Sequence, residues 1–382
     1  MAQIKTRAPN KHLVRIFLGR DAKGKRVYLN RTITGTKKNA RDWAREKERA
    51  RDLRLPLESL TTTLNDLFDR WLKFCAQHVR DNTHYWYTQL MQRYVRPTLG
   101  EHRLAQLQPL DVQNLYTELL EKGLAGRTVR HVHARLVTAL NQAVIWRLIQ
   151  QNPASLVKAP KIVKNEMHFL SPKEAALFLS AAKDDSYCLL LTFALVTGMR
   201  PEEYLGLQWK ELDLTQPNRG VARVRRVVTP LLKKGGGWKW SDVKSPSSRR
   251  DVYFPFSLVR ELLKHRIKQN ELRLRLGHYF EDNDLVFATK TGNPIHRKFV
   301  KTYHLRPTLE RAELPIIRLY DLRHSYVTLS LLSGVKPKVV SEQAGHSSVA
   351  FTLDHYAHVI PEEREGASDM LENLLFSATG TQ

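Results

Sequence analysis

Three short clusters in the chain hold residue types that could carry out chemistry. The first is Thr197-Gly198-Met199-Arg200-Pro201-Glu202-Glu203. An apolar helix is predicted to end at Gly198, which suits a left-handed cap, and Pro201 suits the first turn of the next helix. Arg200 is then held in a tight turn, where its planar guanidinium can offer a fork to a phosphate. The plainer alternative is a surface arginine paired with Glu203. The second cluster, Tyr320-Asp321-Leu322-Arg323-His324, opens an amphipathic run that ends at Gly334. Asp321 suits a helix start, and the spacing puts Tyr320 and Arg323 on one helical face. In the third, Gly345 closes a short helix begun by Pro337, and His346 follows it. Ser347, Ser348 and Thr352 lead on to Tyr356 in a second short helix. Taken alone, such a tyrosine reads as a core residue with a hydrogen-bonded hydroxyl.

Together these residues point to one reaction. Two arginines, a histidine, a lysine and a tyrosine, with no metal-ligand cluster, suit transesterification at a phosphodiester. The tyrosine oxygen attacks phosphorus in line, and the arginines neutralise the charge that grows on the non-bridging oxygens. A general acid must protonate the leaving oxygen. The protein–phosphate ester conserves the bond energy, so no ATP is required. No G-x-x-x-x-G-K-[ST] motif occurs, and the run Gly235-Gly236-Gly237 lacks the strand-to-helix context of a phosphate-binding turn. No cofactor and no metal are expected.

Composition agrees with a polyanionic partner. The 382 residues carry 62 Lys plus Arg against 38 Asp plus Glu, a net charge of +24. Nucleic acid is the partner that such an excess implies. The two cysteines, Cys75 and Cys188, allow no disulfide framework and no cysteine-based zinc site. With no signal peptide apparent, a reducing intracellular setting is expected. The longest apolar stretch, 187–196, is too short to span a bilayer.

The elements that must position the site fall into three regions, more than one ordinary domain for a chain of this length. Residues 1–55 hold 17 Lys plus Arg and 5 Asp plus Glu, half of the whole charge excess in one seventh of the chain. Residues 13–18 and 26–33 alternate like short strands around the turn signal Asp21-Ala22-Lys23-Gly24, and 36–54 reads as a charged helix. This predicts a small β-β-α unit; the alternative is a solubilising extension. After a linker at 56–59, Thr63 and Asp66 form a capping-box pattern ahead of the stripe Leu64, Leu67, Phe68, Trp71 and Leu72. Helices follow near 82–95, 109–122 and 126–150, the last with Val129, Val132, Leu136, Leu140, Ala143 and Leu148 on one face. His131 and His133 point apart on that helix and read as surface residues. An inter-domain linker is expected over 157–168. Ser171-Pro172-Lys173-Glu174 then starts a helix with a cap and a capping box. The remainder is mainly helical, broken by strand-like runs at 221–228 and 250–254 around a Gly-rich basic loop at 231–249.

The order T-G-M-R-P-E-E-Y-L-G-L-Q-W, V-K-S-P-S-S-R-R, Y-D-L-R-H-S and G-H-S-S-V-A-F-T-L-D-H-Y-A-H-V resembles the tyrosine recombinases of the phage integrase family. The resemblance covers roughly residues 60–360. It implies that Arg200 is the first family arginine and Glu203 its supporting acid. Lys244 matches the general acid on a mobile β-hairpin, and Arg323 the second arginine. His346 matches the His/Trp position that contacts the scissile phosphate. Tyr356 matches the nucleophile, which forms a 3′-phosphotyrosyl link and frees a 5′-hydroxyl. Tyr320 stands where the family usually has histidine. A tyrosine there can donate a hydrogen bond but does not take up a proton near neutral pH.

The fold implied is multidomain and mainly α. It has an arm-type DNA-binding unit at 1–55, a helical, SAM-like core-binding domain at 60–155, and a mixed, mainly-α catalytic domain with a small antiparallel sheet at 169–382. The activity implied is integration or excision of a mobile element by site-specific recombination. The partners implied are double-stranded DNA at core and arm-type sites, a homotetramer formed on it, and DNA-bending accessory proteins. The setting is the cytoplasm of a bacterial host, at the nucleoid. In the family a tail like 362–376, with Met370, Leu371, Leu374 and Leu375, packs against a neighbouring protomer. Two rival readings share the chemistry or the fold. A type IB topoisomerase would only relax supercoils, and a non-catalytic DNA-binding protein would form no covalent adduct.

Overall fold

The computed structural model describes residues 2–20, 26–52, 62–162, 168–232, 236–243 and 248–356. The turn at 21–24, the linker at 56–59, Lys244 and the tail at 362–376 lie outside the described residues. The chain divides into two compact units, Met1–Asn165 and Glu166–Gln382.

The first unit opens with an antiparallel sheet of three strands, β1 (Gln3–Ala8), β2 (Lys11–Arg20) and β3 (Arg26–Thr34), in the order β1-β2-β3. Helix α1 (Lys37–Asp52) covers one face, where Val14 and Ile16 of β2 meet Ala40 and Ala44. The unit is therefore β-β-β-α, not the β-β-α predicted. Strand β1 escaped the sequence because Gln3, Lys5, Thr6 and Arg7 are all exposed, leaving only Ile4 and Ala8 half-buried. An edge strand that buries so little has no apolar alternation to read; its pairing with β2 makes it a strand.

The helices that follow are α2 (Leu64–Cys75), α3 (Asp81–Leu90), α4 (Arg96–Leu99), α5 (Pro109–Glu121) and α6 (Gly126–Ile145). Thr63 and Asp66 make the reciprocal capping bonds that their spacing predicts, at 3.1 and 2.8 Å. Leu64, Leu67, Phe68 and Trp71 are fully buried against Leu136, Ala139 and Leu140 of α6 and their neighbours. Between α3 and α4 the ladder widens into a π-turn at Met91–Val95. Pro97 has no N–H to continue an α-ladder, and the wide turn places it in the first turn of the next segment.

Two expectations need correction here. Helix α6 stops at Ile145, because Arg147 takes a left-handed conformation with φ 59° and the chain turns back. Leu148 and Ile149 are still buried, which is why Leu148 fitted the helical stripe. His133 is not a surface residue. It is half-buried, its Nδ1 lies 3.0 Å from the Tyr116 hydroxyl, and burial lowers its pKa.

The second unit begins with α7 (Pro172–Ala182), capped by Ser171 and Glu174 as the sequence predicts, then α8 (Cys188–Thr197) and the single turn α9 (Pro201–Tyr204). Strands β4 (Leu212–Asp213), β5 (Arg219–Val224) and β8 (Arg250–Pro255) form one antiparallel sheet, and β6 (Arg226–Pro230) and β7 (Trp238–Asp242) form a separate hairpin. The run at 221–228 thus splits at Arg225 between two sheets, and the basic loop contains a strand. Trp238 and Trp240 project from one face of β7, and Arg226 lies 5.4 Å over the Trp240 ring. The remaining helices are α10 (Phe256–Leu276), α11 (Arg297–Val300), α12 (Arg306–Arg311), α13 (Asp321–Leu332), α14 (Pro337–Ala344) and α15 (Val349–Tyr356). Their core gathers Phe193, Leu195, Tyr204, Val252, Leu258, Val286, Leu305 and Leu322 around α8. Among the described residues, no helix is long and apolar enough to cross a membrane.

Candidate active site

The site begins where α8 ends. Gly198 has φ 59°, and a Cβ there would come within 2.1 Å of the Tyr326 ring, so both the turn and the packing demand glycine. The next residues bury Met199 and put Arg200 in an extended conformation at the cap of α9, with Pro201 behind it. Glu203 accepts hydrogen bonds from the Arg200 backbone N–H at 2.9 Å and from its Nη1 at 2.8 Å. The pairing offered as the plainer alternative for Arg200 does form, yet it holds the arginine in place instead of idling it at the surface.

Glu203 is only 3% exposed and carries a second guanidinium. Arg250, the first residue of β8, donates to it at 3.0 and 2.8 Å in a two-pronged contact. Burial alone would raise the carboxyl pKa; the bonds from Arg250 and Arg200 outweigh it and hold Glu203 ionised below its ordinary value. The same arginines reach the end of α14. Arg200 Nη2 donates to Gly345 O at 2.6 Å and Arg250 Nε to Gln343 O at 2.6 Å. One carboxylate therefore ties α9, β8 and α14 together.

Arg323 enters from the first turn of α13 and is 2% exposed. Its Nη1 donates to Gly198 O at 3.0 Å, while its buried Nη2 has no partner among the described residues. A buried, unsatisfied donor on a guanidinium is costly unless an anion takes it up. Burial first, and the neighbouring Arg200 charge second, depress its pKa, but it remains cationic at neutral pH. Tyr320, 38% exposed, caps α13; its hydroxyl interacts with the Arg200 guanidinium, and its ring meets His324 at 5.3 Å and 62°.

His346 follows the left-handed Gly345, φ 68°, and its backbone N–H returns to Ser341 O. Its Nδ1 lies 2.7 Å from Thr352 Oγ1. Burial, reinforced by the charges of Arg323 and Arg200, pushes its pKa down to about 3, so the ring is neutral at neutral pH. Tyr356 ends α15 at 2% exposure, its ring parallel to that of His346 at 6.4 Å. Burial pushes its pKa up to about 12, against the pull of Arg323. Its hydroxyl is hydrogen-bonded to His324 Nδ1.

The structure thus gathers Arg200, Glu203, Tyr320, Arg323, His346 and Tyr356 around one spot. Lys244 falls outside the described residues. Two members were missed from the sequence. Arg250 is the second of the doublet Arg249-Arg250, and nothing local says which arginine turns inward. His324 follows Arg323 directly; its four-residue spacing from Tyr320 was the available signal. Two arginines near a tyrosine hydroxyl, with one donor unspent, make a site for a phosphate diester and an oxygen nucleophile.

Comparison with known proteins agrees with this chemistry. The profile described as "Phage integrase family" matches residues 168–363, and that of "Phage integrase, N-terminal SAM-like domain" matches 63–120. The chain is 30% identical to a tyrosine recombinase XerC-like protein of Caldanaerobacter subterraneus subsp. tengcongensis over 94% of its own length and 95% of that protein's. It is 25% identical to the ICEBs1 integrase of Bacillus subtilis, covering 92% and 94%. The fold is similar to that of the Tn1549 transposon integrase solved with a circular intermediate DNA, with a TM-score of 0.67 at 19% identity over 82% of this chain and 99% of that one. Gathered site, matched profile and full-length relatives lead to one conclusion: the chain belongs to the phage integrase family and is a tyrosine recombinase.

Proposed function

We propose that the chain recombines DNA site-specifically, on behalf of a mobile element, through a 3′-phosphotyrosyl intermediate on Tyr356. The observation that carries this is the unspent Nη2 of buried Arg323 beside Arg200, with the Tyr356 hydroxyl within range of the Arg323 charge. The scissile phosphate takes up the free donor and is clamped by the two guanidinium groups. Glu203 and Arg250 hold Arg200 in position. His346, its Nδ1 held by Thr352, turns its other ring nitrogen to a non-bridging oxygen. The Tyr356 oxygen attacks phosphorus, the bond to the 5′ oxygen breaks, and Lys244 supplies the proton that oxygen needs. Tyr320 supports the phosphate through Arg200 and its own O–H.

In this reading the second unit is the catalytic domain, 169–382, and 60–155 is the core-binding domain that grips DNA. The unit at 1–55 binds arm-type sites. The sheet face opposite α1 carries Lys5, Arg15, Phe17, Tyr28, Asn30 and Thr32, with the Arg15 guanidinium 4.0 Å over the Tyr28 ring. Such a surface suits the edges and phosphates of a duplex. A homotetramer on DNA and DNA-bending accessory proteins complete the assembly, at the nucleoid of a bacterial host.

The test is a nicked suicide substrate made from the element's junctions. Wild-type protein is expected to accumulate a covalent adduct. Tyr356→Phe removes the attacking oxygen alone, so it should bind the same DNA and form none. A phosphotyrosyl adduct from Tyr356→Phe would remove Tyr356 from the role, and supercoil relaxation without strand exchange would favour a topoisomerase.

A further inference from the structure

An attacking tyrosine must lose its proton, and the residue that accepts it is not named by the site as described so far. Among the described residues, the candidates around Tyr356 can be eliminated in turn. His355 has its Nδ1 2.9 Å from Phe351 O and no described bond to the Tyr356 hydroxyl. Arg200, Arg250 and Arg323 are cations with no acceptor. Asp321 has both carboxylate oxygens bonded to Arg318, at 2.7 to 3.1 Å, and one of them also accepts from the Arg318 backbone N–H. Tyr320 directs its hydroxyl to Arg200. His346 has its Nδ1 on Thr352 and lies ring-to-ring with Tyr356, without a described bond to the hydroxyl. His324 is left, and it is the residue whose Nδ1 is hydrogen-bonded to the Tyr356 oxygen.

We propose that His324 accepts the Tyr356 proton during cleavage, and that it allows position 320 to be a tyrosine. The inference rests on Tyr356 being the nucleophile. The step balances as follows. The phenolic O–H bond breaks, its proton passes to Nδ1, and the freed electron pair forms the O–P bond. The P–O5′ bond breaks, and its electrons leave with the 5′ oxygen, protonated by the general acid. On ligation the imidazolium returns its proton to the tyrosine oxygen.

The surroundings keep this acceptor neutral at rest. Burial is the main cause that pushes the His324 pKa down to about 4, aided by Arg323, Arg318 and His355 and opposed by Asp321. The groups facing it are Tyr320, Asp321 and Arg323 of its own segment, Arg318 before it, His355 and Tyr356 of α15, and His346. Tyr320 flanks the imidazole on one side, edge-on at 5.3 Å. Since the folded pKa lies far below neutrality, the ring is neutral throughout pH 6–9, and with its proton on Nε2 it offers the Nδ1 lone pair to the Tyr356 hydroxyl.

The experiment is single-turnover cleavage of the suicide substrate by the full chain. His324→Gln should bind DNA as wild type does and cleave about 100-fold more slowly or worse, the usual scale of a lost general base. Its rate should climb about tenfold per pH unit, because an unassisted attack needs the tyrosinate, while wild type stays flat. Replacing Tyr356 with a fluorinated tyrosine, whose phenol is more acidic, should shrink the His324→Gln penalty to under about tenfold. Cleavage by His324→Gln within about threefold of wild type would overturn the proposal. So would a slow variant that is flat with pH and equally slow with fluorotyrosine, since that marks a purely positional role. Tyr356→Phe, run alongside, separates the two claims: an adduct there overturns the nucleophile assignment itself.

Discussion

At the scale of single residues, Tyr320 makes the sharpest statement about this chain. Its hydroxyl interacts with Arg200 and its ring flanks His324, so in the proposed mechanism it supports both the phosphate clamp and the proton acceptor without transferring a proton itself. Tyr320→Phe keeps the ring and removes only the hydroxyl. The expected loss is one hydrogen bond involving a charged group, about 1.5–3 kcal/mol of transition-state stabilisation, or roughly tenfold to a hundredfold in single-turnover cleavage. Tyr320→His should retain most of the activity, because an imidazole can donate in the same place. Wild-type cleavage by Tyr320→Phe would leave the hydroxyl without a catalytic role. Tyr320 was readable as a departure from the family pattern, and its four-residue spacing from His324 was a local signal; its contact with Arg200 was not legible, because Arg200 arrives from the cap of α9.

At the scale of elements, Glu203 joins α9, β8 and the end of α14 through two arginines. Glu203→Gln would leave Arg200 and Arg250 buried without a counter-charge. Breaking one side of a buried ion pair costs about 3–5 kcal/mol, so the variant should unfold that much more easily in urea near neutral pH. The sign of the pH dependence follows from the lowered pKa of Glu203. A depressed carboxyl contributes its stability in full above the unfolded value, about 4.3, and loses it as pH falls through the folded one. The gap between wild type and Glu203→Gln should therefore close in acid, below about pH 4. A gap of constant size would mean that the carboxylate charge is not what binds the three elements. The turn that presents Arg200 was legible, since Gly198 and Pro201 are local punctuation. The bond to Arg250 was not, since it spans 47 residues.

At the scale of the whole molecule, charge is distributed so that half of the +24 lies in residues 1–55. Its outward sheet face collects Lys5, Arg15 and Asn30 opposite α1. Deleting residues 1–55 should preserve cleavage of core-site oligonucleotides and abolish recombination that needs arm-type sites. Each phosphate neutralised contributes about −0.9 to the slope of log affinity against log salt. The full chain should accordingly show a steeper slope than the truncation in titrations from low to high salt. Equal slopes would mean that the basic unit does not touch DNA.

What the sequence determined by itself is what neighbouring residues can encode. The capping boxes at Thr63 and Ser171, the left-handed glycines 198 and 345, and the helical stripes of α2 and α6 all depend on contacts within four residues. The residue types at Arg200, Arg323, His346 and Tyr356, in that order, likewise announced chemistry at a phosphodiester. Tertiary structure decided the rest. Strand β1 exists because β2 offers it a ladder, and β7 because the hairpin closes on β6. Arg250 turns inward because Glu203 waits there, and His324 meets Tyr356 across 32 residues of chain. Periodicity and turn chemistry are local and survive in one dimension, whereas a buried charge or proton acceptor is chosen by which elements pack together, and that is settled only once the core has closed.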